Sequence, residues 1–370
     1  MNVEVVDHSM RLIRFFRSCN RCRIVAAFLL LGVAGSLRAQ TQPSEVFFVV
    51  EAAALKEKRG VNASVVRRMV NTLITRTTNK ATPAEAWASL IKKTDRVGIK
   101  VSTMGGAVSG TNPEVVDAIV EGLAEAGIAP QQIIVWDRRK EDLLAAGFAS
   151  DGKHYQLRWV DAVDGYDRKA QVTSPVLGKL IYGDSAFRKK RVRNLKDVFN
   201  TDDDLSSDSF FSRILSSEVT VVINVPSLTD SFLTGVNGAL ANMTLPNLDN
   251  WRRFVKEPLF GDPYMAEIYA DPRILDKVVI TILDGLMLQY AGGPFPDANY
   301  AVENFTLFAS RDPVAIDSTA ARLLDEWRLP AKLPRLEPRT LWLATAEQLG
   351  LGNSKEKDIQ LIQAGVEGLR

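Results

Sequence analysis

DRVGIKVSTMGGAVSGTNPEVVDAIVEGLAEAGIAPQQIIVWDRR, residues 95–139, is the stretch whose reading decides the fold class. It opens on an apolar, β-branched run, DRVGIKVST (95–103), which has the composition of a buried strand. Gly105, Gly106 and Gly110 follow as a loop. TNPEVVDAIVEGLAEAG (111–127) then places apolar residues at helical spacing, with Thr111 or Asn112 as the cap and Gly127 as the stop. QQIIVWDRR (131–139) reads as a second strand. Strand, loop, helix and strand within 45 residues make a βαβ unit, so the two strands pair in parallel through a right-handed crossover.

The same grammar extends both ways. EVFFVVEAA (45–53), SEVTVVINVP (217–226), VVITILDGL (278–286) and the start of FTLFASRDPVAID (305–317) read as further strands. NASVVRRMVNTLITRTT (62–78) and TPAEAWASLIKK (82–93) read as helices. The second carries Thr82, Pro83 and Glu85 as a capping box with proline at the first helical position. Thr319 to Trp327 reads as another helix, and residues 340–368 as a helix or two with a short strand. The expectation is an α/β protein with a mainly parallel sheet flanked by helices, closed as one body or as two closely joined lobes.

The first forty residues obey a different logic. Arg11, Arg14, Arg17, Arg21 and Arg23 precede the apolar run IVAAFLLLGVAGS (24–36), and Ala39 follows. Basic start, short apolar core and small residue are the parts of a secretory signal. The run is shorter than the roughly 20 apolar residues a membrane helix needs. Residues 1–39 are expected to be a signal peptide, 40–370 the α/β domain, and the location periplasmic or secreted, with a membrane anchor only if the leader is retained. The leader holds six arginines and two acids, so residues 40–370 carry 40 basic and 42 acidic residues, a net of −2. The positive balance of the full chain is therefore leader charge and gives no reason to expect nucleic acid as a partner. Cys19 and Cys22 also fall in the leader, which argues against an iron–sulfur cluster, and His154 is the single histidine beyond it. Zinc and similar metals want several His or Cys ligands; an oxygen-ligated divalent cation stays open.

In parallel sheets, ligands sit beyond the carboxyl ends of the strands. The polar residues at those ends are the candidates: Lys100, Ser102, Asp137, Asp230, Asn237, Asn242, Asp284 and Asp312. Asp137, Asp230 and Asp284 could share a cation or divide acid–base work. Each also has a plain structural reading. Asp312 before Pro313 is a helix cap, Asp284–Gly285 a turn pair, and Asp137–Arg138 a local ion pair. Lys100 inside an apolar run has no such reading, because lysine is seldom buried without a partner. Residues 290–300, YAGGPFPDANY, read as a surface loop or the rim of a site. The basic run 187–193 beside the acidic run 201–208 reads as solvated surface.

Taken together, DRVGIKVS, TNPEVVDAIVEGLAEAGI, QQIIVWDR, VVINVPSLTDSFLTGVNGALANM, VVITILDGL with YAGGP, and SRDPVAID resemble the domain of unknown function 362 family, in order, over residues roughly 45–350. The resemblance implies an α/β fold and, for many relatives, export, but no known reaction. Exported relatives usually read P-x-x-K-D-H, then T-G-V and A-L-K-N. Asp230, Gly235, Gly238 and Asn242 match that pattern, as does Lys100 in I-K-V. Thr229, Ser231 and Ala241 stand where relatives carry lysine, histidine and lysine, and Ser102 where they carry asparagine. Serine and threonine replace neither a histidine base nor a lysine charge.

Three functional readings follow, and whether the protein is an enzyme stays open among them. The first is an exported protein that binds a small molecule or an oxygen-ligated cation with a reduced reactive set. The second is a periplasmic metal-assisted hydrolase or redox enzyme built on the strand-end aspartates. The third is a structural or interaction protein.

Overall fold

A computed structural model describes residues 43–57, 60–149, 154–161, 165–173, 208–255 and 257–365. The leader with both cysteines, the basic run 187–193 and nearly all of the acidic run lie outside the described residues.

In chain order the elements are β1 (Ser44–Val50), α1 (Ala63–Thr78), α2 (Pro83–Leu90), β2 (Val97–Val101), α3 (Gly106–Ser109), α4 (Pro113–Glu125), β3 (Ile133–Asp137), α5 (Lys140–Ala145), β4 (Gln156–Trp159), β5 (Tyr166–Thr173) and β6 (Asp208–Ser212). After a π-helical turn at Ile214–Glu218 come β7 (Val221–Val225), β8 (Ser227–Ser231), β9 (Gly235–Val236), α6 (Ala239–Thr244), α7 (Tyr264–Tyr269), α8 (Pro272–Leu275), β10 (Val278–Gln289), β11 (Ala301–Ser310), α9 (Pro313–Arg328), α10 (Trp342–Gln348) and β12 (Ile359–Gln363).

Ten strands form one sheet whose main path runs β12-β1-β11-β10-β7-β2-β3-β4. Strands β10, β7, β2, β3 and β4 pair in parallel along it, as the βαβ reading requires, and β11 is antiparallel to both of its neighbours. Strands β8 and β9 branch from β10. The sheet is large, mostly parallel and flanked by helices, which is an α/β fold. From Pro43 onward the described residues cluster as one compact unit.

Side chains alternate across the strands. Val135 and Ile223 face one core, built with Val66, Leu73, Trp87 and Leu123 of α1, α2 and α4. Their neighbours Trp136 and Val222 face the other, built with Leu240, Met243, Val314 and Ile316 of α6 and α9. Burial on both faces is why these strands read as unbroken apolar runs. Gly98 belongs to the second face: a Cβ there would lie 2.6 Å from the Trp136 ring, so the glycine leaves room for the indole beside β2.

Local signals held at several ends. Thr82 and Glu85 form the expected capping box on α2, and Asp312 caps α9 by accepting from Val314 N and Ala315 N, both at 2.8 Å. Asp284 departs from its reading as a turn residue. Strand β10 continues to Gln289, and Asp284 lies inside it, paired with Leu307 of β11. Glycine after aspartate here marks a register shift between Gly285 and Met287, not a chain reversal. The tight approach of Thr306 O, 2.9 Å from where a Gly285 Cβ would sit, accounts for the glycine.

Candidate functional site

Chain from β2 leads to β3 on one side, while chain from β7 leads to β10 on the other. The crevice above the adjoining ends of β2 and β7 is therefore a topological switch point, where open α/β sheets place ligands. Two segments meet there: Ser102 to Thr111 after β2, and Ser227 to Thr244 after β7.

Beneath the crevice lies a buried polar row. Register pairs Lys100 with Asn224 and Asn224 with Thr281, across three parallel strands. Lys100 is fully buried and spends all three ammonium donors. Nζ donates to Asp137 Oδ1 at 2.6 Å, to Val101 O at 2.7 Å and to Asn242 Oδ1 at 3.0 Å. Asp137, at the end of β3, is equally committed. Oδ1 also accepts from Arg138 N at 2.7 Å, and Oδ2 accepts from Thr103 N at 2.8 Å and Thr103 Oγ1 at 2.6 Å. Asn242 comes down from α6 and donates to Lys100 O at 3.2 Å and Asn224 Oδ1 at 2.8 Å. Burial pushes the lysine below its ordinary pKa, and the charge and hydrogen bond of Asp137 oppose that push. A charge pair this dry persists only where its remaining donors and acceptors are satisfied, and here they are.

Helix α6 is seated by Asp317 of α9, whose carboxylate accepts from Ala239 N and, at 2.9 Å, from Leu240 N. A Cβ on Gly238 would lie 2.0 Å from Asp317 Oδ1, so only glycine admits the contact. Burial raises the Asp317 carboxyl to about 7 against the pull of the two amides.

Over this base opens a cleft with a volume of about 70 Å³. That is room for several waters or a ligand of a few heavy atoms. Its polar lining includes Ser102, Asp137, Asn237 and Asn242, with Asn237 Nδ2 donating to Ser102 Oγ at 2.9 Å. Apolar walls come from Met104, Leu233, Leu245 and Pro294. Phe232 and Phe295, next in sequence to lining residues, are exposed and stack with ring centroids 6.2 Å apart. Ser231 and Ala241 also line the cleft, whereas Thr229 is buried with its hydroxyl unpartnered among the described residues.

The structure thus gathers Lys100, Ser102, Asp137, Asn237 and Asn242. The other candidates do other work. Asp230 accepts from Gly293 N at 2.8 Å and pairs with the buried Arg328 at 3.5 Å, fastening the 291–296 loop; burial lifts its carboxyl to about 6. Asp284 accepts from Asn112 N at 2.7 Å and Asn112 Nδ2 at 2.9 Å, and burial raises it to about 6 as well. Asp312 caps α9. Asp137, Asp230 and Asp284 do not meet, and among the described residues no three acidic, histidine or cysteine side chains stand close enough to hold an ion. Arg138 pairs with Asp161 at 3.2 Å, not with its neighbour Asp137, which is already filled by Lys100 and Thr103. His154 is exposed.

Sequence reasoning missed Asp142 and Trp251, which line the same cleft from α5 and from the segment after α6. Neither follows a strand directly, so a search of strand ends passes over both.

Residues 97–322, more than half of the chain, match the family described as Domain of unknown function (DUF362). The chain belongs to this family. The matched span contains every residue of the polar row and the whole lining of the cleft, so the site sits within the family's shared region. Among solved structures, one from Thermotoga maritima is similar at 10% identity and a TM-score of 0.35, covering 74% of this chain and 60% of that one. No curated protein matches.

Proposed function

We propose that this member of the domain of unknown function 362 family is an exported protein that binds a small organic molecule in the cleft above β2 and β7, with a reactive set reduced relative to relatives. The observation that carries the reading is the convergence of Ser102, Asp137, Asn237 and Asn242 on one cavity at the switch point, backed by a fully satisfied Lys100–Asp137 pair. An organic ligand suits this geometry better than an oxygen-ligated cation. Asp137 is already neutralised by an ammonium 2.6 Å away, which would repel a metal, and metals of this class want several oxygen ligands at once. Reduction of the reactive set is supported by the side chains present: Ser231 and Ala241, both lining the cleft, offer neither a base nor a fixed charge. Export is supported by the basic, apolar and small-residue order of residues 11–39. N-terminal sequencing of protein recovered from a periplasmic fraction, expected to begin near Gln40, tests it.

Ala241 is 3% exposed and borders the cavity, so Ala241→Phe fills it from α6. Ligand-observed NMR with a library of small polar fragments is expected to find compounds that bind the native protein and lose at least tenfold in affinity to Ala241→Phe. A folded Ala241→Phe protein that keeps every hit would refute the cleft as the binding site.

A further inference from the structure

Two carboxylates border the cleft, and their situations differ. Asp137 is fully engaged, with four donors on its two oxygens. Asp142 is half-buried on α5, and its carboxylate makes no hydrogen bond or ion pair among the described residues. Arg139, the cation that most favours its charge, pairs instead with Glu141 at 3.8 Å. Burial raises the Asp142 carboxyl above its ordinary range; Arg139 opposes this, and the nearby Asp137, Glu141 and Asp161 add to it. A carboxylate that is partly dehydrated, surrounded by like charge and without a donor is a group whose deficit a ligand can meet. The charges around the cavity agree. Lys100 pairs with Asp137 and Arg138 with Asp161, which leaves Asp142 as the charged side chain of the lining without an ion-pair partner among the described residues. A second deficit lies on Trp251, whose buried Nε1 has no acceptor among the described residues.

From this set of vacancies we infer that the cleft takes a small protonated amine carrying a neutral oxygen acceptor, with Asp142 as the partner of the ammonium. The inference rests on the ligand-cleft reading and names the chemistry of its occupant. The ammonium supplies the charge and donors that Asp142 lacks. The oxygen supplies the acceptor that Trp251 Nε1 lacks, beside the Ser102 hydroxyl and the Asn237 amide, and the apolar walls cover the carbon skeleton. A carboxylate ligand of the same size meets Asp142 as like charge and is rejected.

Three probes of matched size separate the possibilities: 2-aminoethanol, ethylene glycol and glycolate, titrated calorimetrically at pH 7.5 into the protein lacking its leader. 2-Aminoethanol is expected to bind at least tenfold more tightly than ethylene glycol, and glycolate not at all. In Asp142→Asn the amine loses at least tenfold while the glycol is unchanged; in Asp142→Glu part of the preference returns. Amine affinity unaltered in Asp142→Asn, or glycolate binding as well as the amine, overturns the inference. If library fragments bind and are lost in Ala241→Phe without any amine preference, this inference falls and the ligand-cleft reading stands. If neither the three probes nor the library binds, both fall.

Discussion

Replacing Lys100 with methionine tests the pair at the base of the cleft. The substitution keeps the apolar stem and removes the ammonium, so Asp137 Oδ1, Asn242 Oδ1 and Val101 O each lose a donor at once. Breaking a buried ion pair from one side costs about 3–5 kcal/mol, because the surviving charge stays in the dry interior. Asp137 still holds Thr103 N, Thr103 Oγ1 and Arg138 N, which places Lys100→Met at the lower end, about 3 kcal/mol. Asp137→Asn is expected to cost a similar amount, since it strands the ammonium. The double variant leaves neither partner of this pair stranded as a charge, so its loss should fall short of the summed single losses by about 2 kcal/mol. Urea unfolding followed by tryptophan fluorescence reads all four proteins, Trp136 being in register with Lys100 on the adjacent strand. A lowered midpoint at unchanged slope reports stability alone. If the two substitutions add to within about 0.5 kcal/mol, Lys100 and Asp137 are not coupled and the account of the cleft floor is wrong.

Two further outcomes follow from neighbouring residues. Asp284 has a folded-state pKa near 6, above the roughly 3.9 of an unfolded aspartate. Its contribution to stability is therefore full below pH 4 and is lost as pH rises through 6. Asp284→Asn, always neutral, should improve relative to the native protein by about 3 kcal/mol between pH 4 and pH 8, and a stability difference independent of pH would contradict the burial argument. Gly238→Ala pushes a Cβ to 2.0 Å from Asp317 Oδ1 and must unseat α6. A loss of about 3 kcal/mol or more, or failure to fold, is expected by circular dichroism and urea melts; a near-native midpoint would mean that α6 is not held by that carboxylate.

Much of the architecture could be read in advance because it rests on local signals. The βαβ unit at 95–139 has strand, cap, helical period and stop in sequence order, and each is a short-range preference. Lys100 stood out for a similar reason: a cation in an apolar strand demands a partner, and Asp137 supplied one. What could not be read was which strand ends adjoin. Asp284 and Asp137 looked equivalent in sequence, but β10 runs past Asp284, whereas β3 stops at Asp137. Asp142 and Trp251 reach the cleft only through the packing of α5 and of the segment after α6, a long-range outcome that no periodicity encodes. Arg138 shows the same limit, since adjacency in sequence suggested Asp137 and the fold gave it Asp161.

The crossing from β7 to α6 divides its side chains between two tasks, with Asn242 serving both. Asn224, Asn242 and the amides that Asp317 holds tie the crossing to the sheet and to α9, while Ser231, Asn237 and Ala241 border the cleft. Substitution among the second set leaves the tethers in place. A lineage can therefore rewrite what the cleft recognises at Ser231 and Ala241 without renegotiating the tethers that hold the fold.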